Sequence, residues 1–481
     1  MKSRHLRPAL ALPGLLTLST LPTMESAAAA PLTQPNILVV VLDDAGYNDF
    51  GFMGSEDLPS PNIDRLAGMG AILTDGHVTA TTCSPSRAAI LTGRYQQRFG
   101  HESNVPPSHL GMCPEETTIA DALRTAGYRT QAIGKWHVGN KTMFHPNNRG
   151  FDDFWGFLEG SRSYFPDPEV DQPGNYRAIL HNRRQVDFEG YLTDKFTDRA
   201  LEFMEASGDQ PWFIYLSYNT PHTPMEAKEE HLEKFEGHTR RELAAMLWSL
   251  DENMGRITDY LESQGTLENT LIFFFSDNGG AGHWNNQTSN YPLKGWKGNK
   301  FEGGHRVPFF VTWPAAIPGG QRYDGLSSSL DVMATSIAAA GLQRTPGKPL
   351  DGVDLVPFLR GDRAGPPHHR LYWRKDRFAA MRDGPFKLIR VEGYGYRLYN
   401  LEEDLAETDD LRESHPEVFA RMKAALIAWD QDMVLPLWYE GEDWTHVTYE
   451  SHRALMNNRA PRYRSPWERE AFLRRQRPQA Q

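Results

Sequence analysis

Residues Asn36–Leu42 (Asn-Ile-Leu-Val-Val-Val-Leu) form an unbroken apolar, β-branched run that stops at two adjacent aspartates, Asp43 and Asp44. A strand without polar alternation is one buried on both faces, which is the pattern of a parallel sheet covered by helices. The stretches 211–216 and 271–275 repeat it, and 128–133 and 309–312 also read as strands. Helices are expected between them. Residues 118–126 place Ile119, Leu123 and Ala126 on one face, with Gly127 as the stop. Residues 239–264 carry the stripe Leu243, Leu247, Leu250, Met254, Ile257 and Leu261 behind a capping-box pattern of Thr239 and Glu242. Residues 331–340 end at Gly341. This alternation predicts an α/β fold: a large mixed, mostly parallel sheet with helices on both faces.

The ends of the strands carry the chemistry. Asp43 and Asp44 repel each other unless a cation lies between them, so they are candidate oxygen ligands for a hard divalent metal. The strand at 128–133 delivers Lys135 and His137, which share one side of an extended chain. That at 211–216 leads to His222, held between Pro221 and Pro224, a candidate general acid. That at 271–275 ends in Asp277 and Asn278, followed by glycines. Each of these residues alone reads as well as turn or surface decoration. Together they occupy equivalent ends of buried strands, where ligands of open α/β sheets bind.

The stretch Cys83-Ser84-Pro85-Ser86-Arg87 opens a helix-compatible run that Gly93 can stop. Cys83 is thereby expected at a helix N-terminus, where backbone N–H groups favour anions, with Arg87 one turn along to hold the same anion. Lys297 follows later, among glycines that permit close approach of the backbone to a ligand. The string resembles the C-x-P-x-R signature of the type I sulfatases, of the alkaline phosphatase superfamily. The resemblance runs from about Pro35 to about Met433, through Asp43-Asp44, Gly134-Lys135-Trp136-His137, Pro221-His222, Asp277-Asn278-Gly279 and Lys297-Gly298. His305, before Arg306, departs from the common family pattern, with packing or specificity as what it could affect.

The resemblance implies a sulfuric ester hydrolase. It implies that Cys83 is converted to formylglycine (3-oxoalanine) by a formylglycine-generating maturation enzyme, and that the aldehyde hydrate is the nucleophile. It further implies one Ca²⁺ held by Asp43, Asp44, Asp277, Asn278 and the modified Cys83. Arg87, Lys135, His137, His222 and Lys297 would surround nucleophile and sulfate, with His222 and Lys297 serving the leaving oxygen and His137 acting as base. The overall look is closest to carbohydrate sulfatases, with a carrageenan-like galactan as substrate. Arg162, Tyr164, His283, Trp284 and Arg374 are candidate sugar contacts, since such loop residues and flat rings suit a pyranose face. The competing readings are a phosphonate or phosphate monoester hydrolase on the same fold, and an inactive secreted glycan-binding protein.

The net charge of −11 over 481 residues argues against a nucleic-acid partner, which needs a basic face. Lys2, Arg4 and Arg7, an apolar stretch at 9–21 and the small residues 27–30 read as an export signal over residues 1–30, too short for stable membrane insertion. A periplasmic or secreted protein is expected. The catalytic unit is expected over 31–360 and a smaller antiparallel-sheet α+β subdomain over 361–470, with a helix at 416–433 and a disordered tail at 471–481. If Cys83 is modified, Cys113 remains a free thiol.

Overall fold

The computed structural model describes residues 34–282, 287–343 and 347–476. Ten strands form one sheet in the order Gln321–Tyr323, Ala71–Leu73, Phe309–Thr312, Thr270–Ser276, Asn36–Leu42, Trp212–Ser217, Arg129–Lys135, Asp153–Phe157, Leu180–His181 and Arg184–Gln185. The five strands from Thr270–Ser276 to Asp153–Phe157 are mutually parallel, and antiparallel partners flank them. Val41 pairs with Ser217 and Leu42 with Ser276, so the central strands run out at one level.

The Asn36–Leu42 strand is buried on both sides, as its unbroken apolar run demands. Ile37, Val39 and Val41 pack into one core with Ala88, Leu91, Ile119, Leu123, Met333 and Ile337. Leu38, Val40 and Leu42 pack into the other with Ile63, Leu66, Phe196, Leu250, Met254 and Ile257. The helices Cys83–Thr92, Ile119–Thr125 and Asp331–Ala339 thus cover one face. Pro61–Gly68, Leu192–Ser207 and Arg241–Ser263 cover the other.

Thr118 caps the Ile119–Thr125 helix in a reciprocal capping box with Asp121. Thr239 and Glu242 do not form the expected one. The helix starts at Arg241, its N-cap Arg240 makes no side-chain cap, and Glu242 accepts a hydrogen bond from Gln287. Arg240 itself turns to Asp49 and Asp57, and these ion pairs replace the cap in fixing the entry of the helix.

Beyond residue 361 the antiparallel strands Arg370–Lys375, Phe378–Asp383, Phe386–Val391 and Gly395–Asn400 form a separate four-stranded sheet. The Pro416–Gln431 helix lays Met422, Leu426 and Trp429 on it. Trp373 and Ile389 share a further core with Trp296, Phe301 and Leu326 of the large sheet's loops. His305 is part of this seam, stacked at 4.0 Å on the Trp373 ring, so its role is packing. The chain then forms the helices Glu442–Met456 and Pro466–Gln476. Residues 471–476 are therefore helical rather than disordered, and the rest of the expected tail, like the expected export signal, lies outside the described residues. Among the described residues no helix is long and apolar enough to cross a membrane.

Candidate active site

Four parallel strands end beside one another and deliver Asp43, Lys135, His222 and Asp277 to one edge of the sheet. The Cys83–Thr92 helix points its first turn at this edge. Thr82 is the extended N-cap, Cys83 is the first helical residue, and Gly93 closes the helix at φ 62°. Asp44 and His137 have φ of 69° and 59°, and both belong to this edge. Left-handed backbone at non-glycine residues costs energy and is typical of places where function dictates side-chain direction.

The Cys83 thiol faces Asp43 Oδ1 at 3.4 Å. Lys135 Nζ lies 2.6 Å from Asp43 Oδ2, and Lys297 Nζ lies 2.6 Å from Asp44 Oδ1. Asn278 Nδ2 donates to Asp44 Oδ1 at 2.8 Å. Arg87 Nε donates to Asp277 Oδ2 at 2.8 Å, and its Nη1 reaches the Lys135 carbonyl and Ser217 Oγ. His222 Nδ1 bonds the Thr223 carbonyl at 2.7 Å, which makes Nδ1 the protonated nitrogen and leaves Nε2 facing Asp44 Oδ2 at 3.7 Å. His137 Nδ1 is buried with no hydrogen-bond partner among the described residues. The His137 ring fits only because residue 160 is glycine: a Cβ there would fall 2.7 Å from the imidazole.

Three carboxylates and three cations are thus interleaved, all buried but Lys297, which reaches the cavity. Burial alone would raise Asp43 and Asp44, but Lys135 for the first and Lys297 for the second hold both below the ordinary carboxylate range. Burial wins at Asp277, which rises to about 6 despite Arg87. Burial keeps His222 below the usual imidazole range, and burial together with Lys135 keeps His137 well below it. Burial would lower Lys297, but Asp44 together with Asp43 and Asp277 holds it well above its usual range. Burial, with Asp277 adding to it, pushes the Cys83 thiol up to about 12. An unmodified Cys83 is therefore a neutral thiol at physiological pH and a poor nucleophile. It forms no disulfide with Cys113.

The donor set suits a hard divalent ion. Asp43, Asp44, the Cys83 sulfur and His222 each place a ligand atom within 4.8 Å of the others, and among the described residues the buried Oδ1 of Asn278 is an acceptor without a donor. The two carboxylates and the Asn278 amide oxygen, with Asp277 beside them, are oxygen donors of the kind Ca²⁺ takes.

A cavity of about 780 Å³ opens above these groups, with Asp44, Cys83, His137, His222 and Lys297 at its floor. Arg87, Lys135, Asp43, Asp277 and Asn278 stand behind the floor, and the Arg87 guanidinium is engaged by Asp277. The expected sugar contacts are placed differently. Arg162 is buried and forked onto Asp171 at 3.0 and 3.2 Å. Tyr164 is fully buried, its hydroxyl donating to the Asn219 and His222 carbonyls. Arg374 is buried against Glu102 and Asp430. All three are corrected from substrate contacts to structural residues, because protein partners take their polar atoms; Tyr164 fastens the loop that carries His222. His283 and Trp284 lie outside the described residues. The walls instead include Arg177, Tyr439, Trp444, Arg464 and Trp467. The aromatic clustering near residues 438–449 was the available signal for part of this wall; Arg177 has none.

A mostly parallel sheet whose carboxyl edge gathers carboxylates, cations and a helix-borne nucleophile position defines a hydrolase of the alkaline phosphatase superfamily. The sulfatase family model matches residues 35–342. The chain belongs to the sulfatase family, as a type I sulfatase and so a sulfuric ester hydrolase. It is 30% identical to rat (Rattus norvegicus) arylsulfatase G over 80% of this chain and 84% of that one. It is 32% identical to mouse (Mus musculus) N-acetylgalactosamine-6-sulfatase over 78% of this chain and 74% of that one. Among solved structures, Ps i-CgsB in complex with k-i-k-neocarrahexaose superposes with a TM-score of 0.81 at 34% identity, covering 87% of this chain and 97% of that one.

Proposed function

We propose that the protein hydrolyses sulfate esters of a sulfated carbohydrate, a carrageenan-like galactan, using Cys83 in its formylglycine form with one Ca²⁺. The observation that carries this reading is the position of Cys83: first residue of a helix, on the floor of the cavity, beside Lys297, His137 and His222. The unreactive thiol supports a role for the modified side chain. The likeness to a structure holding a neocarrahexaose supports the galactan.

In that state the hydrated aldehyde would supply the attacking hydroxyl, and a bound Ca²⁺ would supply positive charge to the site. Asp43, Asp44, Asp277 and Asn278 would hold the ion. The Lys297 ammonium reaches into the cavity and orients the ester while offsetting its charge. Lys297 stays protonated and so can stabilise or protonate the leaving oxygen. His222, neutral in the resting site, joins it once an anion raises its basicity. His137, neutral with an unpartnered Nδ1, is suited to accept a proton. Arg87 and Lys135 act by fixing Asp277 and Asp43. The maturation enzyme and an exported, periplasmic or secreted location are parts of the same proposal, on the Cys83 string and the basic-apolar start of the chain.

The test is inorganic sulfate release from carrageenans, ulvan, fucoidan, chondroitin and heparan sulfates, with phosphate and phosphonate esters alongside. Release is expected from a galactan, dependent on Ca²⁺ and abolished in Cys83→Ala with the fold retained. Activity in a folded Cys83→Ala protein, or faster phosphate than sulfate release, would overturn the reading.

A further inference from the structure

The catalytic cavity does not end at the floor groups. Its outer wall comes from the segment that follows the antiparallel sheet: Tyr439, Trp444 on the Glu442–Met456 helix, and Trp467 on the Pro466–Gln476 helix. Trp444 and Trp467 meet edge to face, at 5.4 Å and 85°. Their side chains remain 36% and 43% exposed, and Tyr439 is 57% exposed. Large rings left this open beside a cleft need a reason, because burying them against the protein would be favourable.

A second depression, about 580 Å³, lies next to the first and shares Tyr439 and Glu440 with it. The two meet at Tyr439 and Glu440, and the second is lined further on by His446 and Tyr449. Within the first cavity most cations already have protein partners. Lys297 is on Asp44, Lys375 is on Glu440, and Arg464 lies over the Trp296 ring at 4.7 Å and donates to Gly282. Arg177 differs. It is exposed, lines the cavity, and among the described residues its guanidinium has no hydrogen bond or ion pair. Its backbone is anchored: its carbonyl accepts from the buried Arg162, and its N–H donates to Asn175 Oδ1.

Resting on the sulfatase reading above, we infer that these two adjoining cavities bind a linear, multiply sulfated glycan over several sugars. Tyr439 and Trp444 stack on sugar rings beyond the one being desulfated, and Arg177 binds an anionic substituent on a neighbouring sugar. Open rings suit the apolar faces of pyranoses. An unpaired, anchored guanidinium suits a sulfate, which it can meet with two parallel N–H groups. The adjoining cavity beyond Tyr439 offers space for sugars next to the one that carries the scissile ester.

The experiment compares wild type with Trp444→Ala and Arg177→Gln, on the matured full chain with Ca²⁺. Substrates are a small aryl sulfate and sulfated galactan di-, tetra- and hexasaccharides, including hexasaccharides whose neighbouring sugars are unsulfated. Calorimetric binding of the same oligosaccharides is measured in parallel. Wild type is expected to gain in kcat/KM with length. Trp444→Ala should raise KM for the hexasaccharide about tenfold at nearly unchanged kcat, a larger loss than on the aryl sulfate. Arg177→Gln should lose about tenfold on the fully sulfated hexasaccharide and little on the one with neutral neighbours. Sulfate release that is indifferent to length and to both substitutions overturns this inference and leaves the sulfatase reading standing. Oligosaccharide binding that needs Trp444 and Arg177, without sulfate release from any ester, supports the glycan site and overturns the sulfatase reading instead.

Discussion

The Lys135 ammonium lies 2.6 Å from the Asp43 carboxylate, and neither side chain has any exposure to solvent. The pair stands directly behind Cys83, whose sulfur is 3.4 Å from the other Asp43 oxygen. Removing one member of a buried pair leaves the other charge without water or partner, which costs about 3–5 kcal/mol. Lys135→Met is therefore expected to lower unfolding free energy by about that amount in chelator, measured by urea denaturation. Excess Ca²⁺ should restore part of the loss, because a cation beside Asp43 replaces the lost charge. Activity should fall at least a hundredfold even where the fold is recovered, since Asp43 is no longer held in place.

Asn278 offers a related test. Its amide nitrogen donates to Asp44, and among the described residues its buried Oδ1 has no donor. An acceptor left this way is explained by a metal ion. Ca²⁺ at about a hundred times its dissociation constant is expected to stabilise the native chain by about 2.7 kcal/mol. Asn278→Leu should abolish that Ca²⁺-dependent rise in melting temperature, on top of a lower melting temperature in chelator because Asp44 loses the amide donor. An equal Ca²⁺ effect in both proteins would place the ion elsewhere.

The core of this site was readable because the rule that produces it is local. A strand buried on both faces announces itself as an apolar run, and the polar residue at its end must then face the ligand edge, as Asp43 and Asp277 do. The walls follow no such rule. Arg374 meets Glu102 across 272 positions of sequence, and nothing around either residue distinguishes a guanidinium paired inside the protein from one awaiting substrate. Tyr164 is similar: its partners are backbone carbonyls of the His222 loop, set by tertiary packing alone. Arg177 lies in an irregular loop without periodicity, so only the fold reveals that it faces the cavity. The Thr239–Glu242 pattern failed because Arg240 found two aspartates, and these ion pairs overrode a local capping preference.

Arg374 follows the logic of Lys135 with the opposite functional expectation. Glu102 has no solvent exposure, and its pairing with Arg374 joins the catalytic loops to the small sheet. Arg374→Ala is expected to cost about 3–5 kcal/mol in denaturant unfolding. KM for a small sulfate ester should stay within twofold of wild type in whatever protein remains folded. A raised KM at unaltered stability would return Arg374 to the substrate-binding residues.

Glu407 gives the chain a pH dependence that can be isolated. It is buried, and its backbone sits at φ 54°. Lys387 lies 2.9 Å from Glu407 and 2.9 Å from Glu302, so one ammonium serves two carboxylates. Glu302 also faces His77, His305, Arg306 and Arg382, and stays well below the carboxylate range. Glu407 has Lys387 and a repelling Glu302, and burial raises it to about 7. A carboxyl whose native value is raised binds more protons folded than unfolded. Its stabilising contribution is full below its unfolded value, near 4.5, and is lost as pH rises through about 7. The loss amounts to at most about 3 kcal/mol. Glu407→Gln keeps the acceptor for the Glu302 N–H, 2.8 Å away in wild type, and cannot ionise. Wild type should therefore lose more melting temperature than Glu407→Gln between pH 5 and pH 8, and parallel curves would mean that Glu407 is already ionised throughout.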